Sequence, residues 1–218
     1  MATILLVRHG ENEWVRKHRL AGWIEGVHLN ENGKKQASQA AARLAHLPLA
    51  AVYSSPVERC METAAYIAQP HELEIKELPM MGEVRYGKWE GKKISKLAQK
   101  PLWQVVQFFP SRMQFPKGET MRGVQARAVD ALEALSQQHQ NEMIVVCSHA
   151  DVIKLTLAYY LGVHIDLFQR VAISPASVSV IQLPENGRVR VLRINDDGPL
   201  AAPSAKPEKA KKDGKKGK

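Results

Sequence analysis

Two apolar runs constrain this fold more than anything else in the chain. Ile4 to Val7 reads ILLV and Met143 to Ser148 reads MIVVCS, and neither alternates. A strand with one wet face alternates apolar and polar residues; a short continuous run is a strand covered on both faces. Further strands are expected at Val52 to Ser55, more weakly at Leu73 to Leu78, and at Val178 to Leu183 and Arg188 to Ile194. The last two flank Pro184-Glu185-Asn186-Gly187, and Asn-Gly between strands signals a hairpin. Helical periods lie between the strands. Asn32 to His46 places Ala37, Ala40, Ala41 and Leu44 on one face, and Pro56 sits where it would open a helix reaching about Ala68. Glu119 to His139 aligns Met121, Val124, Ala128, Leu132 and Leu135, and Ala150 to Leu161 ends at Gly162. The fold class that results is α/β: a three-layer α/β/α sandwich whose central sheet is mostly parallel, with an antiparallel hairpin at its C-terminal edge. Residues 83–118 are rich in Trp, Pro and Gly and follow no single period. They predict an insertion covering the carboxyl edge of the sheet.

The chain of 218 residues suits one domain, expected over 1–198. The remaining 199–218 segment holds seven lysines against Glu208 and Asp213, so it carries +5 of the net +9. Almost no bulky apolar residue accompanies them, which predicts a disordered tail. No aromatic or arginine joins the lysines either, so no specific nucleic-acid partner is expected. No apolar run approaches the roughly 20 residues of a membrane span, and MATILLVRHG has no basic stretch ahead of its apolar one, unlike a signal peptide. Cys60 and Cys147 fit neither a disulfide framework nor a zinc site and read as free thiols. A cytoplasmic enzyme without membrane partner is the expectation. The oligomeric state is not legible.

In open α/β sheets, ligands bind outside the carboxyl ends of the strands. Three expected strands end in notable residues. The first ends at Arg8-His9-Gly10. The second ends at Ser54-Ser55-Pro56, with Arg59 one turn into the next helix. The third ends at Ser148-His149, where a helix begins immediately. If these strands are neighbours, two arginines and two histidines converge with two helix N-termini. Such a pocket holds a dianion, and arginine suits it through paired hydrogen bonds.

LLVRHGENEW, YSSPVERCMETA, GEVRYGKWEG, FPKGET and CSHADVIK follow one another in this order. Together they resemble the histidine phosphatase superfamily, in the branch of cofactor-dependent phosphoglycerate mutases and related phosphatases. PLWQVVQFFP followed by FPKGET is similar to a bacterial phosphomutase-like subgroup. The resemblance implies His9 as a nucleophile that becomes phosphorylated. It implies Arg8, Arg59 and His149 as holders of the phosphoryl oxygens, with Asn12 and Ala150 beside them. It places the acid–base carboxylate at Glu83, which the residues alone do not distinguish from Glu90 or Glu119. It implies no metal and no cofactor, and a small phosphorylated metabolite as substrate.

The chain departs from the family pattern in places. Val15 follows Trp14 where many relatives carry a phosphate-binding asparagine, and Asn12 stands where Ser or Thr is usual. Ala150-Asp151 replaces a common Gly-Gly. Glu83-Val84-Arg85-Tyr86-Gly87 stands where the glycolytic mutases have Glu-Arg-His-Tyr-Gly, and their insertion is longer. A shorter cover admits water to a phosphohistidine, which favours hydrolysis over transfer back to substrate. The reading is therefore a metal-independent phosphomonoesterase. Alternatives are a cofactor-dependent phosphomutase and a silent phosphate-binding module. Arg85, Tyr86, Trp89 and the Trp103–Phe115 segment are the candidates for the wall that meets the leaving group.

Overall fold

The computed structural model describes residues 1–198. The expected tail at 199–218 lies outside the described residues. Six strands, β1 (Ala2–Arg8), β2 (Leu49–Ser54), β3 (Ile75–Glu77), β4 (Met143–Ser148), β5 (Val178–Leu183) and β6 (Arg190–Asp196), form one sheet in the order β3-β2-β4-β1-β5-β6. The first four run parallel, β5 is antiparallel to β1, and β6 is antiparallel to β5. β1 and β4 match residue for residue, from Thr3 against Met143 to Arg8 against Ser148. This register brings the two Arg/Ser-His endings side by side.

Both central strands are covered on both faces, as their unbroken apolar runs require. Leu5, Val7, Val145 and Cys147 pack on α2 (Glu31–Leu44) and α3 (Glu58–Ala68), through Ala41, Leu44, Cys60, Ala64 and Ile67. Ile4, Leu6, Ile144 and Val146 point the other way, towards α6 (Met121–Gln138) and α7 (Ala150–Tyr160). A short α1 (Glu13–Arg16) follows β1, and α4 (Ile94–Leu97) and α5 (Pro101–Phe108) lie within the insertion. No helix among the described residues is long and apolar enough to cross a membrane.

Several expectations need adjustment. Pro56 does not open α3. Val57 is its N-cap and the helix starts at Glu58, because Ser55 N–H still bonds Cys147 O and extends the sheet one residue past β2. The weak strand at Leu73 to Leu78 shrinks to three residues. The Asn-Gly hairpin exists, but residues 184–189 form a longer connection than a two-residue turn, and the pairing beyond it slips in register. Within the insertion, α5 went unread because its eight residues make little more than two turns, too few to establish a helical period.

Candidate active site

The carboxyl ends of β1, β2 and β4 open on a cavity of about 250 Å³, lined by Arg8, His9, Asn12, Arg59, Glu83 and Ala150 among others. His149 does not line it. His149 is fully buried behind the wall, its ring 5.2 Å from that of His9 in edge-to-face contact.

Both histidines are placed by the sheet. His9 N–H donates to Ser148 O at 3.0 Å, continuing the β1–β4 ladder one step. Gly10 is small for a reason other than the tight turn its position suggests. A Cβ there would meet the backbone carbonyl of Gly33, so α2 packs against the loop after β1 at backbone contact. His9 Nδ1 lies 2.7 Å from Gly10 O, which can only accept, so the ring hydrogen sits on Nδ1. Arg59 Nε, which can only donate, points at His9 Nε2 at 3.3 Å. The two contacts together assign a lone pair to Nε2 on the cavity side. Burial and the neighbouring Arg59 and Arg8 charges hold the His9 pKa well below the usual imidazole value. The ring is therefore neutral.

Around His9 three buried donors have no partner: Arg8 Nε, Arg59 Nη1 and Asn12 Nδ2. Buried donors are nearly always satisfied, and each unsatisfied one costs about 1–3 kcal/mol. All three residues line the cavity, and the two guanidiniums give it the positive charge an anion requires. The rest of each side chain is anchored. Arg8 Nη1 donates to Ile173 O at 2.6 Å, Arg59 Nη2 donates to Gly22 O at 3.0 Å, and Asn12 Oδ1 caps α1 through Trp14 and Val15 N–H. Asn at position 12 thus keeps the cap through Oδ1 and offers an amide N–H₂ as donor where Ser or Thr would offer a hydroxyl. Ala150 is the first residue of α7, directly after the N-cap His149. Ala150 and Asp151 of that first turn line the cavity, and first-turn N–H groups lack partners within the helix.

Glu83 and Asp151 are the two carboxylates that line the cavity. The Glu83 backbone carbonyl accepts from Trp23 Nε1 at 2.7 Å and Arg127 Nη2 at 3.1 Å. Arg127 is itself paired with Glu119 at 2.8 Å, which removes Glu119 from the chemistry. Glu83 Oε2 lies 3.6 Å from Arg59 and 3.4 Å from His149 Nδ1. Burial outweighs the attraction of Arg59 and pushes the Glu83 pKa up to about 7. His149 Nε2 lies 2.8 Å from Ser55 Oγ, and its Nδ1 lies 3.2 Å from Arg59, which can only donate to it. Ser55 was noted in the sequence only as part of a strand ending, with no role, and Trp23 and Arg127 were not singled out. Ser55 lies inside a quoted motif, whereas the other two give no local signal.

Asp151 turns out to be held on the outer wall, accepting from Tyr86 OH at 3.0 Å and pairing with Lys154 at 3.6 Å. Arg85 faces away from the cavity, its guanidinium stacked over Trp23 at 4.0 Å. Among the described residues, no group of three or more His, Cys, Asp or Glu gathers as metal ligands.

The family model of the histidine phosphatase superfamily, branch 1, matches residues 4–197. The chain belongs to this superfamily. Phosphoserine phosphatase 1 of Hydrogenobacter thermophilus is 32% identical over 197 residues, spanning 89% of this chain and 92% of that protein. A metal-independent phosphoserine phosphatase of Arabidopsis thaliana is 36% identical over 157 residues, spanning 69% and 65% of the two chains. Among solved structures, Bacillus stearothermophilus YhfR superposes with a TM-score of 0.84 at 27% identity, covering 90% of this chain and 98% of its own. As a histidine phosphatase, the chain carries its anion-shaped cavity at the strand ends, where the sheet topology of the superfamily converges.

Proposed function

We propose that this histidine phosphatase is a metal-independent phosphomonoesterase acting on a small phosphorylated metabolite through a phosphohistidine. The observation that carries the reading is the trio of unpartnered buried donors around the His9 Nε2 lone pair. Arg8, Arg59, Asn12 and the first turn of α7 at Ala150 hold the phosphoryl oxygens, with His149 behind them. Nε2 attacks phosphorus and the P–O bond to the alcohol breaks. Glu83, carrying a proton, delivers it to the departing oxygen. The resulting carboxylate then takes a proton from a water whose oxygen bonds to phosphorus as the P–N bond breaks and its electron pair returns to Nε2, releasing inorganic phosphate and restoring neutral His9. The charge on the oxygens is balanced by fixed donors throughout.

The test is phosphate release from a panel of phosphomonoesters in the presence of a chelator, with His9→Ala beside wild type. Chelator-resistant release that falls at least a hundredfold in the variant is expected. Conversion of 3-phosphoglycerate to 2-phosphoglycerate with a bisphosphoglycerate primer, without phosphate release, would replace the hydrolase with a mutase. Neither reaction would leave a phosphate-binding module.

A further inference from the structure

His149 stands behind the cavity wall, fully buried, and its two ring nitrogens meet different partners. Nδ1 lies 3.2 Å from Arg59 Nη2 and 3.4 Å from Glu83 Oε2. Nε2 lies 2.8 Å from Ser55 Oγ and 3.4 Å from Cys60 Sγ. Burial, then the Arg59 charge, holds the His149 pKa well below the usual imidazole value. The ring therefore carries a single hydrogen, and its partners decide which nitrogen holds it.

Arg59 makes the choice. Its Nη2 has two hydrogens and accepts nothing. One hydrogen goes to Gly22 O at 3.0 Å and the other to Nδ1. Nδ1 is thus the lone pair and Nε2 the N–H. A hydroxyl can accept, so Ser55 takes the Nε2 hydrogen. Cys60 is a poor substitute, because sulfur accepts weakly and its own S–H is aimed at Ser148 O at 3.4 Å. Ser55 is itself fixed. It is fully buried, its N–H donates to Cys147 O at 2.9 Å, and Val57 N–H lies 3.4 Å from its Oγ.

The tautomer bears on the neighbouring carboxyl. Glu83 Oε1 accepts from Val84 N–H at 2.9 Å, so a proton on Glu83 belongs on Oε2, the oxygen that faces Nδ1. A lone pair on Nδ1 repels a charged Oε2 and tolerates a protonated one. A hydrogen on Nδ1 would do the reverse and favour the carboxylate. The fixed charges around Glu83 pull both ways. Arg59 on α3 and Arg8 on β1 favour the carboxylate, and Asp151 on α7 favours the acid. Arg127 of α6 acts on the His149 ring. Tyr86 of the insertion and Cys60 of α3 stay neutral, since burial raises both, and His9 is neutral as well. None of these groups sets the His149 tautomer except Arg59.

We propose that Ser55 is a positioning residue that acts through His149: by accepting the Nε2 hydrogen it keeps the Nδ1 lone pair on Glu83 Oε2, and so keeps the acid in its proton-donating form. The proposal rests on the reading of Glu83 as proton donor given above.

Nitrogen-15 NMR of histidine-labelled protein reads the tautomer without any turnover. The His149 signals are those lost in His149→Gln. At pH 6 the wild type should show a protonated Nε2 and a bare Nδ1. In Ser55→Ala at least half of the hydrogen should move to Nδ1, and in Ser55→Thr, which retains the hydroxyl, it should stay on Nε2. The pH above which kcat/KM for ethyl phosphate declines should drop by about one unit in Ser55→Ala, the size of one net hydrogen bond, and recover in Ser55→Thr. If Ser55→Thr does not fold, Ser55→Ala against wild type decides alone. A wild-type hydrogen on Nδ1, or a Ser55→Ala ring still protonated on Nε2, overturns the role of Ser55 whatever the activity. A tautomer that moves without shifting the pH profile overturns the link to Glu83. Absence of phosphate release in wild type overturns the phosphatase reading instead. Carbon-13 titration of the Glu83 carboxyl then decides the link, a midpoint about one unit lower in Ser55→Ala supporting it and an unchanged midpoint overturning it.

Discussion

Replacing Glu83 by glutamine should make the protein more stable at alkaline pH while impairing catalysis. The carboxyl is buried beside His149 and its pKa rises to about 7. In the unfolded chain it titrates near 4.5. Between these values the folded state holds a proton that the unfolded state has released, so stability falls as pH rises through the window. The favourable contribution is complete below 4.5 and lost above 7. At about 1.4 kcal/mol per pKa unit, the full span is worth about 3 kcal/mol, and about 2.5 kcal/mol of it falls between pH 5 and pH 8.5. Glutamine has the same shape and never ionises. The stability of Glu83→Gln relative to wild type should therefore climb by about 2.5 kcal/mol across that interval. Urea unfolding followed by tryptophan fluorescence reads this directly. With an m-value of about 2.5 kcal/mol/M, the midpoint difference between variant and wild type should widen by about 1 M. A difference that stays flat from pH 5 to pH 8.5 would show that Glu83 is not a buried high-pKa acid, and the proton-donor assignment would fall with it. In the same protein, kcat/KM for alkyl phosphates should fall far more than for activated aryl phosphates, whose leaving groups need little protonation.

Arg127→Ala should lower kcat for alkyl phosphates by roughly tenfold to a hundredfold with a smaller loss on activated aryl esters, because it releases the Glu83 carbonyl. Equal loss on both classes would mean general disruption of the fold, not misplacement of Glu83. Gly33→Ala places a Cβ against the Glu11 backbone and should cost about 2–4 kcal/mol by thermal or urea unfolding. A change under about 0.5 kcal/mol would show that the α2–β1 loop contact yields easily.

The parts of the fold that were legible in the sequence are those where burial acts on consecutive residues. The runs at β1 and β4 name their own strands, and Gly162 marks the end of α7 by capping chemistry. Arg8, His9, Arg59 and Ser148-His149 could be placed together because a parallel sheet presents strand ends at one edge. Glu83 was different. Its place depends on Trp23, Ser148 and Arg127, the last two fixing the 80–83 backbone from far along the chain. Only resemblance to the superfamily singled it out from Glu90 and Glu119. The constraint on Gly10 is hidden for the same reason, since it comes from Gly33. Asp151 looked out of place near an anion site until its Tyr86 partner was visible.

The way Arg8 is locked has a consequence for when activity first exists. Its backbone is pinned between Ser148 on one neighbouring strand and residues 176–177 on the other side, and its guanidinium rests on Ile173 O. The proposed nucleophile, His9, thus waits for residues more than 160 positions later in the sequence. Contacts of such long sequence separation form late. A chain emerging from the ribosome can pair β1 only once β4 has emerged, and it gains its full site only after residue 177 has left the exit tunnel. Recovery of phosphate release after dilution from denaturant should coincide with the final recovery of tryptophan fluorescence. The enzyme's birth as a catalyst and its completion as a fold are then one event.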